Sequence, residues 1–257
     1  MLETLIRRNS KGMINSVARA QPFKTAIITG AGRGIGAATA RLLAQKGFQT
    51  VLVSRTRSEL EVTAKNILNL GMKSCIVTAD LTDETQIDLV FETAVKAFGS
   101  VDVLINNAAK VEVAEIFDQS TASFDQLMAL NVRAPYLCAR RAFHLMKKQG
   151  TGGSIVNISS LGGIQSTEKF KGLSAYTTSK SALIGMTEAL AVEGRPFKIR
   201  VNAVAPGAVD TQMLHEAAPF LKTETKPEDI AKIIAMLCDD EQSSALNGSI
   251  IEIHSNQ

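Results

Sequence analysis

Short apolar segments alternate with longer amphipathic segments from Lys24 almost to the end of the chain, and this alternation limits the fold more than any other feature. Most of the apolar segments are apolar on consecutive residues, which is typical of strands covered by helices on both faces of a sheet. Right-handed crossovers join such units into a doubly wound parallel sheet. The predicted strands are KTAIIT, QTVLV, SCIVTA, VDVLIN, GSIVNI, IRVNAVAP and GSIIEI, and the predicted helices span residues 34–46, 58–70, 84–98, 121–148, 174–194 and 227–238. The predicted fold class is therefore α/β, with seven parallel strands flanked by helices.

The chain length fits one domain of this kind. At 257 residues the chain can bury one large core, and α/β folds of this size commonly form one domain. Residues 23–257 are predicted to form that domain and residues 1–22 an N-terminal extension. The extension contains Arg and Ser and has loosely helical apolar spacing, so a mitochondrial presequence and a surface helix or arm both stay open. We expect a cytoplasmic protein, or a mitochondrial matrix protein if the extension is a presequence.

Composition and charge argue against several classes of function. The net charge is +3, and no run of Lys and Arg is interleaved with aromatic residues, so we expect no nucleic-acid partner. No apolar stretch approaches the roughly 18 residues of a membrane span, so we expect a soluble protein. The three cysteines lie far apart, and the three histidines show no metal-ligand spacing. The sequence therefore predicts reduced thiols and no metal site.

Four glycines in the stretch ITGAGRGIG directly follow the first predicted strand, at Gly30, Gly32, Gly34 and Gly36. In doubly wound sheets of the Rossmann type, ligands bind beyond the carboxyl ends of the strands, and a helix N-terminus presents free N–H groups to an anion. Glycines allow a pyrophosphate to approach the backbone without a clash with Cβ atoms. No Gly-Lys-Ser/Thr follows, so the turn is not a P-loop. The glycine turn is typical of a dinucleotide-binding site, although by itself it is a weak signal.

A tyrosine and a lysine are spaced for acid–base chemistry in the stretch YTTSK. If residues 174–194 are helical, Tyr176 and Lys180 lie on one face, and the ammonium stabilises the phenolate form of the tyrosine. A phenol with a lowered pKa can donate a proton to a carbonyl oxygen or take one in the reverse direction. For an isolated match, a plain neighbour pair on an amphipathic helix would be the better interpretation.

Taken together and in order, the motifs resemble those of the short-chain dehydrogenase/reductase family over residues 24–253. They are TGAGRGIG at 29–36, NNAA at 106–109, Asn131 in LNVRA, NISS at 157–160, YTTSK at 176–180 and NAVAPGAVDT at 202–211. The resemblance implies that Tyr176 donates the proton, that Lys180 lowers the tyrosine pKa, and that Ser160 steadies the substrate oxygen. It also implies that Asn131 holds a water that links Lys180 to solvent. Ser160 is preferred to Ser159 because it is the second residue of the pair that follows the fifth strand.

The resemblance also implies a set of cofactor-binding residues. In it, Lys180 bonds the nicotinamide ribose, and residues after the third strand contact the adenine. Residues after the fourth strand lie under the adenosine ribose, and residues after the sixth strand hold the nicotinamide carboxamide. The set is Gly30, Arg33, Gly34, Ile35, Gly36, Ser54, Arg55, Asp80, Leu81, Asn107, Ala108, Tyr176, Lys180, Pro206, Gly207, Val209 and Thr211. Two departures from the family pattern concern this region. Ala109 replaces the last glycine of the usual NNAG, and EIHSNQ replaces the usual Asp-Gly-Gly ending.

The residues at the end of the second strand indicate which nicotinamide cofactor is used. NAD-binding members carry an acid there for the adenosine ribose hydroxyl, but the stretch VLVSRTR places Ser54 at that position and Arg55 beside it. Arg33 projects from the glycine turn toward the same region. Two guanidinium groups suit a 2′-phosphate, so NADP(H) is the predicted cofactor. The alternative is that both arginines are ordinary solvated surface residues.

The predicted function is that of an oxidoreductase, an NADP-dependent carbonyl reductase. It would transfer hydride between NADP(H) and a small-molecule carbonyl or secondary alcohol, such as a ketone, a quinone or a 3-oxoacyl thioester. The alternative is a catalytically idle dinucleotide-binding scaffold or sensor. Residues 161–173 and 208–225 are expected to hold the substrate, and apolar side chains in the second segment only weakly favour an apolar one. The two longest predicted helices carry apolar and small residues on more than one face, and the family pairs these helices across a dimer axis, so a homodimer or homotetramer is expected.

Overall fold

The computed structural model describes residues 23–255, and the predicted N-terminal extension lies outside the described residues. Seven parallel strands form one sheet in the order β3-β2-β1-β4-β5-β6-β7. The strands are β1 Thr25–Thr29, β2 Gln49–Ser54, β3 Ser74–Thr78, β4 Val103–Asn106, β5 Gly153–Ile158, β6 Ile199–Pro206 and β7 Ile250–Ile253. The predicted α/β fold with a doubly wound seven-stranded sheet is confirmed.

Helices cover both faces of this sheet. They are α1 Gly34–Gln45, α2 Arg57–Asn69, α3 Glu84–Phe98, α4 Thr121–Met128, α5 Ala134–Gln149, α6 Ser174–Gly194, α7 Gln212–Ala217, α8 Pro227–Leu237 and α9 Asp240–Ser243. Successive residues of β1 point to opposite faces, so Ile27 packs in the core with α3, α5 and α6, whereas Ile28 packs in the core with α1, α2 and α8. Because both faces are buried, the strands read as continuous apolar runs.

The chain reverses its direction of winding between β1 and β4. In β1, Ile28 is paired with Leu52 of β2 on one side and with Ile105 of β4 on the other. The connections that leave β1 and β4 therefore diverge to opposite faces and open a crevice at the carboxyl ends of the strands. The glycine turn and the segment after β4 face each other across this crevice.

Residues 121–148, predicted as one long helix, are helical throughout, but a π-helical turn at Ala129–Arg133 divides them into α4 and α5. Pro135 follows this turn and has no N–H group with which to bond the carbonyl of Asn131 four residues earlier. The N–H of Ala134 instead bonds the carbonyl of Ala129, five residues back. The turn places Asn131 in the protein interior, where its side chain is 1 % exposed.

Of the helices in the described part of the chain, none is long and apolar enough to cross a membrane.

Two glycines of α6 give a matched test of the packing around this helix. A Cβ at Gly185 would meet nothing within 4 Å, whereas a Cβ at Gly194 would lie 2.4 Å from the carbonyl oxygen of Ile199. Gly185→Ala is expected to raise the free energy of unfolding by about 0.5–1 kcal/mol, since alanine favours the helix. Gly194→Ala is expected to lower it by about 1–3 kcal/mol through overpacking. Urea unfolding at one protein concentration measures both, and a loss of stability in Gly185→Ala would contradict this account.

Candidate active site

A cleft of about 980 Å³ lies at the carboxyl ends of the strands. The glycine turn and the end of β2 form one part of it, and the start of α6 and the segment after β6 form another. The predicted site residues that line it are Gly30, Arg33, Gly34, Ile35, Ser54, Arg55, Leu81, Asn107, Ala108, Ser160, Tyr176, Lys180, Pro206, Gly207, Val209 and Thr211. Three others, Gly36, Asp80 and Asn131, do not line the cleft.

The close approaches that require glycine in the turn come from the chain itself. Gly30 and Gly34 have φ angles of +66° and +55°, a region that favours glycine. A Cβ at Gly36 would lie 2.2 Å from the carbonyl oxygen of Gly30, and one at Gly30 would lie 2.7 Å from Nδ2 of Asn107. The turn is therefore compact, and the first turn of α1 begins directly at the cleft.

Hydrogen bonds hold this turn against the end of β4. The amide of Asn107 donates to the carbonyls of Thr29 at 2.9 Å and Gly30 at 3.2 Å. The hydroxyl of Thr29 accepts from the backbone N–H groups of Asn107 and Ala108 at 2.9 and 3.0 Å. The two segments on either side of the crevice are thus fixed to each other. Sequence reasoning missed the role of Thr29, although its place directly before the glycine turn was a usable signal.

The turn has the features that a dinucleotide needs. Arg33 precedes α1 and makes no capping hydrogen bond to it, so the first N–H groups of the helix remain available to an anion. The glycines leave no side chain between these N–H groups and the cleft, and Thr211 stands on the far side, with Cγ2 3.4 Å from the position of a Cβ at Gly34. The residues present therefore fit a pyrophosphate group.

Arginines and acids occur together at the end of the cleft beside β2. Arg33 and Arg55 both line it. The guanidinium of Arg33 donates to Oε1 of Gln212 at 2.6 Å and lies 3.6 Å from Oε1 of Glu59. Asp80, expected near adenine, turns its carboxylate away to accept from the N–H and hydroxyl of Thr82. These hydrogen bonds, with a smaller effect from Arg55, lower the pKa of Asp80.

The catalytic candidates converge on the opposite part of the cleft. Tyr176 and Lys180 share one face of α6, and Nζ of Lys180 lies 5.5 Å from the centre of the tyrosine ring. That ammonium donates to the carbonyl of Ile158 at the end of β5, at 2.8 Å. Ser160 is near enough to the phenol of Tyr176 to lower its pKa, and its hydroxyl oxygen accepts from the N–H of Gly162 at 3.1 Å. The tyrosine and lysine of YTTSK and the serine after β5 thus line the same part of the cleft.

The turn after β5 packs directly on α6, and this contact brings Ser160 to Tyr176. A Cβ at Gly163 would lie 2.7 Å from the carbonyl carbon of Lys180, so glycine is required there. Ser159 donates to the carbonyl of Lys180 at 2.8 Å and is buried. Its hydroxyl is therefore used in packing, which favours Ser160 as the serine that faces a substrate.

The pKa values of the pair differ from the sequence-based expectation. Burial raises the pKa of Tyr176 to about 12, and the smaller lowering effect of Ser160 on this pKa only partly opposes it. Burial also lowers the pKa of Lys180 to about 8. The expected lowering of the tyrosine pKa by Lys180 is not found in this state, because the ammonium is directed at the Ile158 carbonyl and desolvation dominates.

Asn131 is buried and does not line the cleft. Its side chain exchanges two hydrogen bonds with the backbone of Lys110, at 2.9 and 2.8 Å. It also donates to the hydroxyl of Ser179 at 3.1 Å, which in turn donates to the carbonyl of Tyr176 at 2.7 Å. The predicted Asn131 is thereby linked to the predicted proton donor through Ser179, a residue that the sequence analysis did not single out.

The unusual C-terminal stretch still packs against the cleft. Ser255 donates to the carbonyl of Ala208 at 2.6 Å, and the N–H of Gly207 bonds the carbonyl of Ile253 at 2.9 Å. Ala109, the other departure from the family pattern, lines the cleft without a side-chain polar group. Neither departure disrupts the walls of the site.

Comparison with known proteins agrees with this geometry. The family model of the short chain dehydrogenases matches residues 24–222, and the chain belongs to this family. It is 35 % identical over 241 residues to the 3-oxoacyl-[acyl-carrier-protein] reductase FabG of Thermotoga maritima, covering 90 % of this chain and 96 % of that one. A crystal structure of a short-chain type dehydrogenase/reductase from Mycobacterium marinum has a TM-score of 0.84 at 31 % identity, covering 90 % and 94 % of the two chains. Levodione reductase has a TM-score of 0.83 at 29 % identity, covering 90 % and 95 %. The chain is therefore an oxidoreductase of a family that uses nicotinamide dinucleotides and acts on small molecules.

Proposed function

We propose that this protein is an NADP(H)-dependent reductase of a small-molecule carbonyl compound. The observation that carries the proposal is the convergence of Ser160, Tyr176 and Lys180 on one wall of the cleft whose other end holds the glycine turn and two arginines. The bound cofactor would supply the hydride. The rest of the chemistry is a proton transfer, and the chain itself carries the groups for it.

Tyr176 is the proposed proton donor. Its raised pKa keeps the phenol protonated at neutral pH, as a donor to a carbonyl oxygen must be. Ser160, which lines the cleft together with this phenol, would hold the substrate oxygen as charge develops on it. The ammonium of Lys180 would stabilise the phenolate left after the transfer. Asn131 and Ser179 would position Tyr176, because Asn131 bonds Ser179 and Ser179 bonds the backbone carbonyl of the tyrosine.

The proposed cofactor residues surround the rest of the cleft. The N–H groups at the start of α1, exposed by the glycine turn, would hold the pyrophosphate. Arg33, Ser54 and Arg55 would hold the adenosine 2′-phosphate, and Leu81 and Ala108 would contact the adenosine. The segment from Pro206 to Thr211 would hold the nicotinamide end.

The substrate is proposed to be a ketone, a quinone or a 3-oxoacyl thioester. The segments after β5 and β6 contribute apolar side chains to the cleft, including Phe170, Met213 and Leu214. Two of the similar proteins are named as reductases, one of 3-oxoacyl groups on acyl-carrier protein and one of levodione. A panel of these three substrate classes with NADPH tests the proposal. Tight NADPH binding without turnover of any of them would favour the alternative of a sensor or scaffold.

Removal of the phenolic oxygen tests the proton donor. Tyr176→Phe is expected to lower kcat by about 100-fold or more, because only the transferable proton is lost. The dissociation constant of NADPH should stay within about twofold, since the ring still packs. Tyr136→Phe is a matched control, because Tyr136 is the other tyrosine of the chain and is half-exposed on α5. A Tyr176→Phe enzyme with a near-normal rate would refute the assignment.

The pKa of Lys180 predicts a pH dependence for reduction. Lys180 is charged below about pH 8 and loses its charge above it. The charge stabilises the phenolate that forms, so kcat/KM for carbonyl reduction should fall as the pH rises through about 8. In Lys180→Arg, where the charge persists to higher pH, any remaining activity should show this fall shifted upward. A wild-type profile that stays flat from neutral pH to well above 8 would contradict the role of Lys180.

Cofactor preference is tested at Arg55. A charge-assisted contact contributes about 1.5–3 kcal/mol, so Arg55→Ala should weaken NADPH binding by roughly 10- to 150-fold and leave NADH almost unchanged. Arg57→Ala is the control, since Arg57 is an exposed neighbour paired with Glu61. Titration at low salt measures both constants. Equal affinity of the wild type for NADPH and NADH would show that Arg33 and Arg55 do not bind the 2′-phosphate.

Assembly into a homodimer or homotetramer is proposed for helices α5 and α6. The proposal is supported by the resemblance to the family, which pairs these helices across a dimer axis, and each helix carries an exposed apolar side chain, Tyr136 at 50 % and Val192 at 64 %. Light scattering at micromolar concentration should therefore give at least twice the monomer mass. A monomer mass would overturn this part of the proposal.

A further inference from the structure

The side chain of Glu59 occupies the arginine-bearing end of the cleft. A Cβ at Gly32 would lie 2.7 Å from Oε2 and 2.8 Å from Cβ of Glu59, and 3.4 Å from the hydroxyl of Ser54. The carboxylate therefore rests directly on the glycine turn, beside the residue that ends β2. Its other oxygen lies 3.6 Å from Nη1 of Arg33.

The position of Glu59 follows from the start of α2. The helix begins at Arg57, so Glu59 lies in its first turn, and the adjacent Leu60 is buried in the core. With Leu60 fixed beneath the helix, the neighbouring Glu59 projects toward the glycine turn. Among the described residues at this end of the cleft, the carboxylate of Glu59 is the negative charge that faces the lining, alongside the cations of Arg33 and Arg55.

We propose that Glu59 is a specificity-determining residue, whose carboxylate competes with the 2′-phosphate of NADP(H) for Arg33 and so limits the preference for NADP(H) over NAD(H). The inference rests on the proposed binding of the dinucleotide in this cleft. A 2′-phosphate and a carboxylate are both anions that pair with guanidinium groups. Since they would share one guanidinium, each weakens the binding of the other.

The effect is expected to be moderate. Arg33 and Glu59 are both partly exposed, and water and salt screen charges in such positions. Removal of the Glu59 charge should therefore tighten NADPH binding by about threefold to tenfold at low salt, with a smaller gain at high salt. NADH carries no 2′-phosphate, so its affinity should change less than about twofold.

Glu61 provides a matched control on the same helix. It pairs with Arg57 at 2.8 Å and does not line the cleft. Glu59→Gln and Glu61→Gln change the net charge of the chain by the same amount and keep the size of the side chain. A difference in NADPH affinity between the two variants therefore reports the position of the removed charge and not the change in net charge.

The experiment is a fluorescence titration of the full chain with NADPH and with NADH, for wild type, Glu59→Gln and Glu61→Gln, at low and high salt. The proposal predicts tighter NADPH binding in Glu59→Gln alone, with the gain reduced by salt. Unchanged or weaker NADPH binding in Glu59→Gln would overturn it, as would an equal gain in both variants.

The same titration separates this inference from the proposed cofactor preference. If wild type binds the two cofactors equally and Glu59→Gln becomes selective for NADPH, the proposed preference fails while the role of Glu59 stands. If wild type prefers NADPH and Glu59→Gln does not change the ratio of the two dissociation constants, the preference stands and the role of Glu59 fails.

Discussion

The hydrogen bonds between the glycine turn and the end of β4 are the constraint on which the rest of the site depends. Thr29 is 2 % exposed, and its hydroxyl satisfies two backbone N–H groups of the opposing segment. A buried N–H that loses its partner costs about 1–3 kcal/mol, so this junction holds its geometry strongly. Asn107 closes the junction from the other side by bonding the carbonyls of Thr29 and Gly30. The switch point of the sheet is thereby a fixed opening with α1 directed into it.

A second constraint acts at the other end of the cleft through Pro135. It directly follows the π turn that carries Asn131 into the interior, where the asparagine bonds Lys110 and Ser179. Ser179 then bonds the carbonyl of Tyr176. The position of the tyrosine backbone is thus linked to a break in a neighbouring helix, and substitution of Pro135 would affect the site without contact with any ligand.

Sequence patterns predicted the fold well because burial on both faces of the sheet leaves a direct mark on the chain. The predicted helix at 34–46 differs from α1 by one residue at its end, and all seven predicted strands are found in one sheet. The π turn before Pro135 was not predicted because the apolar periodicity continues through it, although the proline indicates an irregular point in the helix. The carboxylate of Glu59 was not predicted, because the acid of NAD-binding members is expected at the end of the second strand and Glu59 lies beyond it, in the first turn of α2. Its approach to the glycine turn depends on how α2 packs, which no local pattern encodes.

The electrostatics of the Tyr176–Lys180 pair could not be read from spacing, because burial outweighs the interaction between the two groups. Desolvation favours the neutral form of each group, and it moves the two pKa values apart, to about 12 for the phenol and about 8 for the ammonium. An ammonium has three N–H donors, and within residues 23–255 the acceptor bonded to Lys180 is the Ile158 carbonyl. Polar groups that enter the cleft can therefore accept further hydrogen bonds from Lys180 and favour its charged form. The charge on Lys180, and with it the stabilisation of a phenolate at Tyr176, therefore depends on what occupies the cleft.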